Sequence, residues 1–126
     1  MSATITRPAV KKILIIEDEA DMCLILDLML NREETSVDHV KSLAAAKKFL
    51  GEEQPSLVLL DNRLPDGFGI DFLGFLKQEY PDIRIIMISG ADKAARDVAL
   101  ENGADQFLAK PFSRAQLVAS VQQLLN

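Results

Sequence analysis

The sequence predicts an α/β domain, a doubly wound sandwich of five strands and five helices around one parallel sheet. Three observations carry that expectation. Short apolar runs of strand length alternate with segments of helical spacing five times along the chain. The clearest of them, Lys12–Ile16, is a β-branched run without polar alternation, which fits a strand buried on both faces and hence parallel pairing. The chain has 126 residues, 48% of them apolar, enough for one compact domain with a genuine core. Right-handed crossovers then narrow the topology to helices on both sides of the sheet.

Residues 1–10 read as a flexible lead-in, and the domain occupies 11–126. Lys12–Ile16 is the first strand. A helix follows from Ala20 to about Asn31, with Met22, Ile25, Leu26 and Met29 on the face expected to pack on the sheet. Leu24 and Leu28 fall roughly opposite, one turn apart, between Asp21, Asp27 and Asn31, and Cys23 lies on the flank. Thr35–Val40 is a second, weaker strand, with His39 a surface residue near its end. Ser42 is an N-cap for a helix carrying Leu43, Ala46 and Leu50, with Gly51 at its C-terminal end.

Leu57–Leu60 is the third strand, and Asp61 stands at its carboxyl end. Pro65, Gly67 and Gly69 punctuate the next segment, 62–69, as a loop. Ile70, Leu73 and Leu76 open a helix that Pro81 closes. Ile83–Ile88 is the fourth strand, and Asp92–Asn102 the fourth helix, ended by Gly103. Gln106–Ala109 is a short fifth strand. Ser113 caps a last helix bearing Leu117, Val118, Val121 and Leu124.

Composition excludes several function classes. A formal net charge of −5 argues against direct nucleic-acid binding. No apolar stretch approaches the ~20 residues that cross a bilayer, and the first ten residues lack the apolar core of a secretory signal. The single cysteine, Cys23, permits no internal disulfide and suits a reducing cytoplasm. One cysteine and one histidine cannot build a structural zinc site. No glycine-rich phosphate loop follows the first strand, which argues against a nucleotide cofactor.

Ligands of doubly wound sheets bind outside the carboxyl ends of the strands. Strand one delivers Glu17, Asp18 and Glu19 there, strand three Asp61, strand four Ser89-Gly90 and strand five Lys110-Pro111. Carboxylates crowded together repel, and a hard divalent cation with oxygen ligands relieves the conflict. A carboxylate in such a setting can attack a phosphoryl group and form an acyl phosphate. Lys110 would ion-pair with the phosphoryl oxygens, and Ser89 would donate a hydrogen bond to them.

The pieces Ile15-Ile16-Glu17-Asp18-Glu19, Leu59-Leu60-Asp61 with Leu64-Pro65-Asp66-Gly67, Ile88-Ser89-Gly90, and Gly103-Ala104-Asp105 with Lys110-Pro111-Phe112 together resemble the receiver domain of bacterial response regulators. The resemblance runs in order from about Lys11 to Asn126. It implies a flavodoxin-like strand order 2-1-3-4-5 and a phosphorylation-activated signalling switch that accepts its phosphoryl group on Asp61. It implies Mg²⁺ (or Mn²⁺) held by Asp18, Asp61 and the backbone carbonyl of Arg63, with Glu17 nearby where the family usually has Asp. Ser89 and Phe107 match its coupled switch pair, and Lys110 its phosphate-sensing lysine, with a cis Lys110-Pro111 bond. The implied partner is a sensor histidine kinase or a histidine phosphotransfer protein, and the Leu24–Leu28 ridge is the expected docking site for that donor. The last helix is poor in charge, so little phosphorylation-driven dimerisation is expected through it.

Two other readings compete. A phosphate-independent interaction module would be expected to lack one of the acidic, Ser or Lys groups, and all are present. A phosphatase passing through an aspartyl phosphate would need an acid-base carboxylate where Arg63 stands, together with a capping insertion. The expectation is therefore a phosphoacceptor and not an enzyme turning over a separate substrate, either standing alone or as the N-terminal receiver of a larger regulator.

Overall fold

A computed structural model describes residues 10–32, 34–90 and 93–125. Five strands form its main sheet: β1 (Lys11–Ile16), β2 (Thr35–Val40), β3 (Leu57–Asp61), β4 (Arg84–Gly90) and β5 (Gln106–Lys110). All pair in parallel, and the spatial order is 2-1-3-4-5. The helices are α1 (Ala20–Leu30), α2 (Leu43–Glu52), α3 (Gly69–Glu79), α4 (Lys93–Glu101) and α5 (Arg114–Leu125). This is the doubly wound architecture expected from the alternation, with flavodoxin-like strand order.

Successive strand residues point to opposite faces of a sheet, so an uninterrupted apolar strand feeds two cores at once. Leu14, Ile16, Val58, Leu60, Ile85 and Met87 pack against Ala46 and Leu50 of α2, Leu73 and Leu76 of α3, and Ala99 of α4. The alternate residues Ile13, Ile15, Leu57, Leu59, Ile86 and Ile88 pack against Leu26 and Leu30 of α1 and Leu117 and Val121 of α5. Every residue of β3 is buried, which makes this central strand the rigid mount for its last residue, Asp61.

Several expectations need correction. Ile25 does not pack on the sheet: it is 43% exposed, and α1 buries Cys23, Leu26 and Leu30 instead. Only Asp21 and Asp27 are polar in this helix, so its wheel has little contrast to fix the rotation. Cys23 is thus buried under the helix, not on its flank. Gly51 sits in the last turn of α2 as expected, and the helix runs one residue further, to Glu52. The expected loop after Asp61 contains a small antiparallel hairpin, Arg63–Leu64 against Gly67–Phe68. Gly67 and Gly103 both have positive φ, 151° and 111°, conformations that favour glycine.

The caps largely follow the sequence. Ser42 Oγ accepts from the Ala45 N–H at 3.1 Å. Ser113 and Gln116 form a reciprocal capping box: Ser113 Oγ accepts from the Gln116 N–H, and Gln116 Oε1 from the Ser113 N–H. The 1–9 part of the lead-in, Asp92 at the expected start of α4, and Asn126 lie outside the described residues. Among the described residues, no helix is long and apolar enough to cross a membrane.

Candidate functional site

Parallel pairing brings the strand ends together. The registers Ile16 to Leu60, Asp61 to Ile88 and Gly90 to Lys110 place the four carboxyl termini at one edge. A cleft of about 310 Å³ opens there, lined by Asp18, Asp61, Arg63, Ser89 and Lys110 of the expected set, and by Asn62 among others. Glu17 sits beneath it, 2% exposed, and Asp61 is 7% exposed.

Lys110 Nζ lies 3.0 Å from Asp61 Oδ1 and 3.4 Å from Glu17 Oε1. One ammonium thus bridges two buried carboxylates. Burial pushes the Glu17 carboxyl up to about 7, with the neighbouring Asp61 charge adding to it against the counter-pull of Lys110. Burial by itself would lower Lys110. The hydrogen bond and charge of Asp61, followed by those of Glu17, outweigh that and raise it. Glu17 is anchored further by its backbone oxygen, which accepts from Cys23 Sγ at 3.3 Å.

Glu17, Asp18 and Asp61 can each offer one carboxylate oxygen such that all three lie within 4.8 Å of one another. Convergent hard oxygen donors carrying surplus negative charge are the donor set that suits Mg²⁺. The residues present therefore fit a divalent cation, and the longer Glu17 side chain remains within the cluster.

Not every predicted residue joins the cleft. Phe107 is half-buried on β5, packed against the core shared with α2, α3 and α4. Leu24 and Leu28 stand on the outer surface of α1, 59% and 72% exposed, with Ile25 beside them. The Lys110-Pro111 bond is cis, as the resemblance implies.

Two residues escaped the sequence reading. Asn62 follows Asp61 directly, lines the cleft, and accepts the Ile70 N–H on its Oδ1 at 3.0 Å. An Asn between a strand and a helix was the available signal. Asp66, at the hairpin turn, accepts the N–H groups of Leu43 and Ala44 at 2.9 Å each. Those two bonds hold its carboxyl below the usual range. It caps α2 from 22 and 23 residues away, a contact that no local pattern announces.

The family model described as "Response regulator receiver domain" matches residues 13–122. The chain is 34% identical to the phosphate regulon transcriptional regulatory protein PhoB of Escherichia coli (strain K12), over 92% of this chain and 52% of that protein. It is 35% identical to the alkaline phosphatase synthesis transcriptional regulatory protein SphR of Synechococcus elongatus, over 99% of this chain and 54% of that protein. The chain thus spans about half the length of the curated relatives it matches. Among solved structures, the CheY-like receiver domain protein of Methanospirillum hungatei superposes with a TM-score of 0.86 at 25% identity, covering 93% of this chain and 94% of that one. The beryllofluoride-activated NtrC4 receiver domain dimer also gives 0.86, at 31% identity, covering 91% of this chain and 96% of that one.

Proposed function

This chain belongs to the response regulator receiver domain family, a phosphorylation-activated switch, and from that premise we propose that Asp61 is its phosphoacceptor. The observation that carries the assignment is the 3.0 Å contact between Lys110 Nζ and Asp61 Oδ1 at the end of a fully buried strand. An Asp61 oxygen attacks phosphorus, the bond from phosphorus to the donor nitrogen breaks, and its electron pair returns to the donor imidazole. Lys110 moves from carboxylate to phosphoryl oxygen as charge shifts outward, and Ser89 donates its hydroxyl to another. Asp18, Asp61, the Arg63 carbonyl and, at one remove, Glu17 would hold Mg²⁺ or Mn²⁺. Such an ion, when bound, neutralises the crowded carboxylates and the phosphoryl oxygens.

The readout would pass through Ser89 and Phe107. Ser89 drawn toward a phosphorylated Asp61 leaves room for Phe107 to turn inward, changing the surface of α4, β5 and α5. The reading is of a cytoplasmic phosphoacceptor domain over 11–126, not of an enzyme with a separate substrate. A second reading, the same switch as the receiver portion of a longer regulator, draws on the greater length of the relatives and leaves the chemistry at Asp61 unchanged.

Asp61→Asn keeps the shape and removes the nucleophile. Labelling by a small acyl phosphate should vanish in this variant while its melting curve stays cooperative. Labelling at the wild-type rate would dismiss the assignment.

The donor is a histidine kinase or histidine phosphotransfer protein, and Leu24 and Leu28 form its docking ridge. Three large apolar side chains exposed on one 11-residue helix support that reading, since a ridge of this kind at i and i+4 suits a partner helix. Leu24→Asp with Leu28→Asp should reduce transfer from the protein donor at least tenfold (roughly, since two buried leucines at an interface carry energy of that order) and spare labelling by acyl phosphate. Unchanged transfer from the protein donor would remove the ridge from the interface.

A further inference from the structure

The residue after the acceptor is held from three sides. The Asn62 N–H donates to the Ile88 carbonyl of β4 at 3.2 Å, and the Asn62 carbonyl accepts the Gly69 N–H at 2.7 Å. Its side-chain Oδ1 accepts the Ile70 N–H at 3.0 Å. Gly69 and Ile70 open α3, whose own N-cap residue, Phe68, offers no side-chain bond. The first turn of any helix presents N–H groups without intrahelical partners. Here two consecutive ones close on Asn62, across the whole hairpin.

The approach is tight. Gly69 is buried, and a Cβ at this position would run into the Asp61 backbone oxygen, with Leu60 Cγ at 3.0 Å. The α3 terminus is therefore pressed against the backbone that carries the acceptor carboxylate. Asn also suits the position chemically, because Asn and Asp are among the strongest side-chain caps. Asp would add another negative charge to a cleft already holding Asp18 and Asp61, whereas Asn caps without charge.

We propose that Asn62 is a positioning residue for phosphoryl transfer, one that fixes Asp61 by tying the end of β3 to the first turn of α3. The proposal rests on Asp61 being the acceptor. Asn62 acts through the backbone: with Oδ1 removed, the Ile70 N–H loses its partner and the Asp61–Arg63 segment gains freedom. The carboxylate then spends less time in the attacking geometry, and small misplacements of reacting groups are costly in rate.

The test compares Asn62→Leu with Asn62→Asp, using a small acyl phosphate over a range of concentrations. Asn62→Leu keeps the size and deletes the acceptor oxygen; Asn62→Asp restores that oxygen. The saturating labelling rate should fall roughly tenfold in the Leu variant, an alignment loss of the kind expected from a displaced reacting group, with the half-saturating concentration little changed. In Asn62→Asp the saturating rate should return to near wild type, while its added charge weakens donor binding. Amide exchange at Ile70 should quicken in the Leu variant and recover in the Asp variant. A Leu variant with the wild-type saturating rate would reduce Asn62 to a plain helix cap and overturn the proposal, as would an Asp variant that regains Ile70 protection without regaining rate. Asn62→Ala supplies the same comparison if the Leu variant does not fold. Failure of the wild type itself to label would instead overturn the assignment of Asp61, a separate result.

Discussion

At the amino ends of the strands, Asp105 lies 3.5 Å from Lys77 and 3.4 Å from Arg84, and Lys12 pairs with Glu53 at 2.7 Å. At the carboxyl ends, Glu17 and Asp61 share the ammonium of Lys110, with Asp18 beside them. The same sheet therefore carries an end where each of these carboxylates has its own cation and an end where three carboxylates cluster with one ammonium. Exposed ion pairs contribute little individually. The firmer tie at the amino end is the Asp105 carboxylate accepting the Ile85 N–H at 2.8 Å, while the Asp105 N–H donates back to the Ile85 carbonyl at 2.8 Å. One end pairs its carboxylates within the chain, and the other gathers its carboxylates around a cleft.

The largest effect that could break this contrast is at Asp18. Mg²⁺ should raise the melting temperature of the wild type; Asp18→Asn should abolish that rise and should melt higher than wild type in chelator because repulsion in the cleft is relieved. Retained metal stabilisation would mean that the excess charge is not the cation's binding determinant.

The converse change lies at the amino end. Asp105→Ala should cost about 1–3 kcal/mol in urea denaturation, because it leaves the N–H of buried Ile85 without its partner. Labelling of the folded variant by acyl phosphate should be unaffected. A loss of labelling there would show that the two ends are coupled.

The smallest effect is expected at Asp66. Asp66 stands at the turn of the hairpin and, like the amino-end carboxylates, has its partners within the chain. Its folded-state pKa is depressed below the ordinary 3.8. The stability it adds is thus present above that value and is lost as pH falls through the lower folded-state value. Asp66→Ala should be slightly less stable than wild type at neutral pH, and the gap in denaturation midpoint should close in acid. A gap independent of pH would assign the loss to packing and not to the charged cap.

Much of the fold was legible because buried parallel strands read as plain apolar runs, and β1 and β3 are the clearest cases. The cleft was legible for a related reason: parallel strands deliver their last residues to one edge, so Asp18, Asp61, Ser89 and Lys110 could be placed together from sequence order alone. Helix α1 shows where this fails. With apolar side chains nearly all around it, periodicity could not say that Cys23 faces inward and Ile25 outward. The hairpin and its two ties were also invisible, since Asn62 and Asp66 act on backbone groups 8 and 22–23 residues away, set by tertiary approach.

The closure at Asn62 has a consequence for anyone who wishes to alter this protein. The chain leaves the sheet at Asn62 and is pinned again at Gly69 and Ile70, so residues 63–68 form a side branch whose exit and return are fastened together. Extra length at Pro65 or Asp66 need not move the re-entry point, and doubling a flexible loop costs only about 0.6 kcal/mol in closure entropy. A short epitope or a dye-bearing peptide could therefore be spliced in at Pro65–Asp66, sacrificing the clasp on α2 but keeping Asp61 in place. The graft would put a reporter on a branch whose first residue, Arg63, lines the cleft.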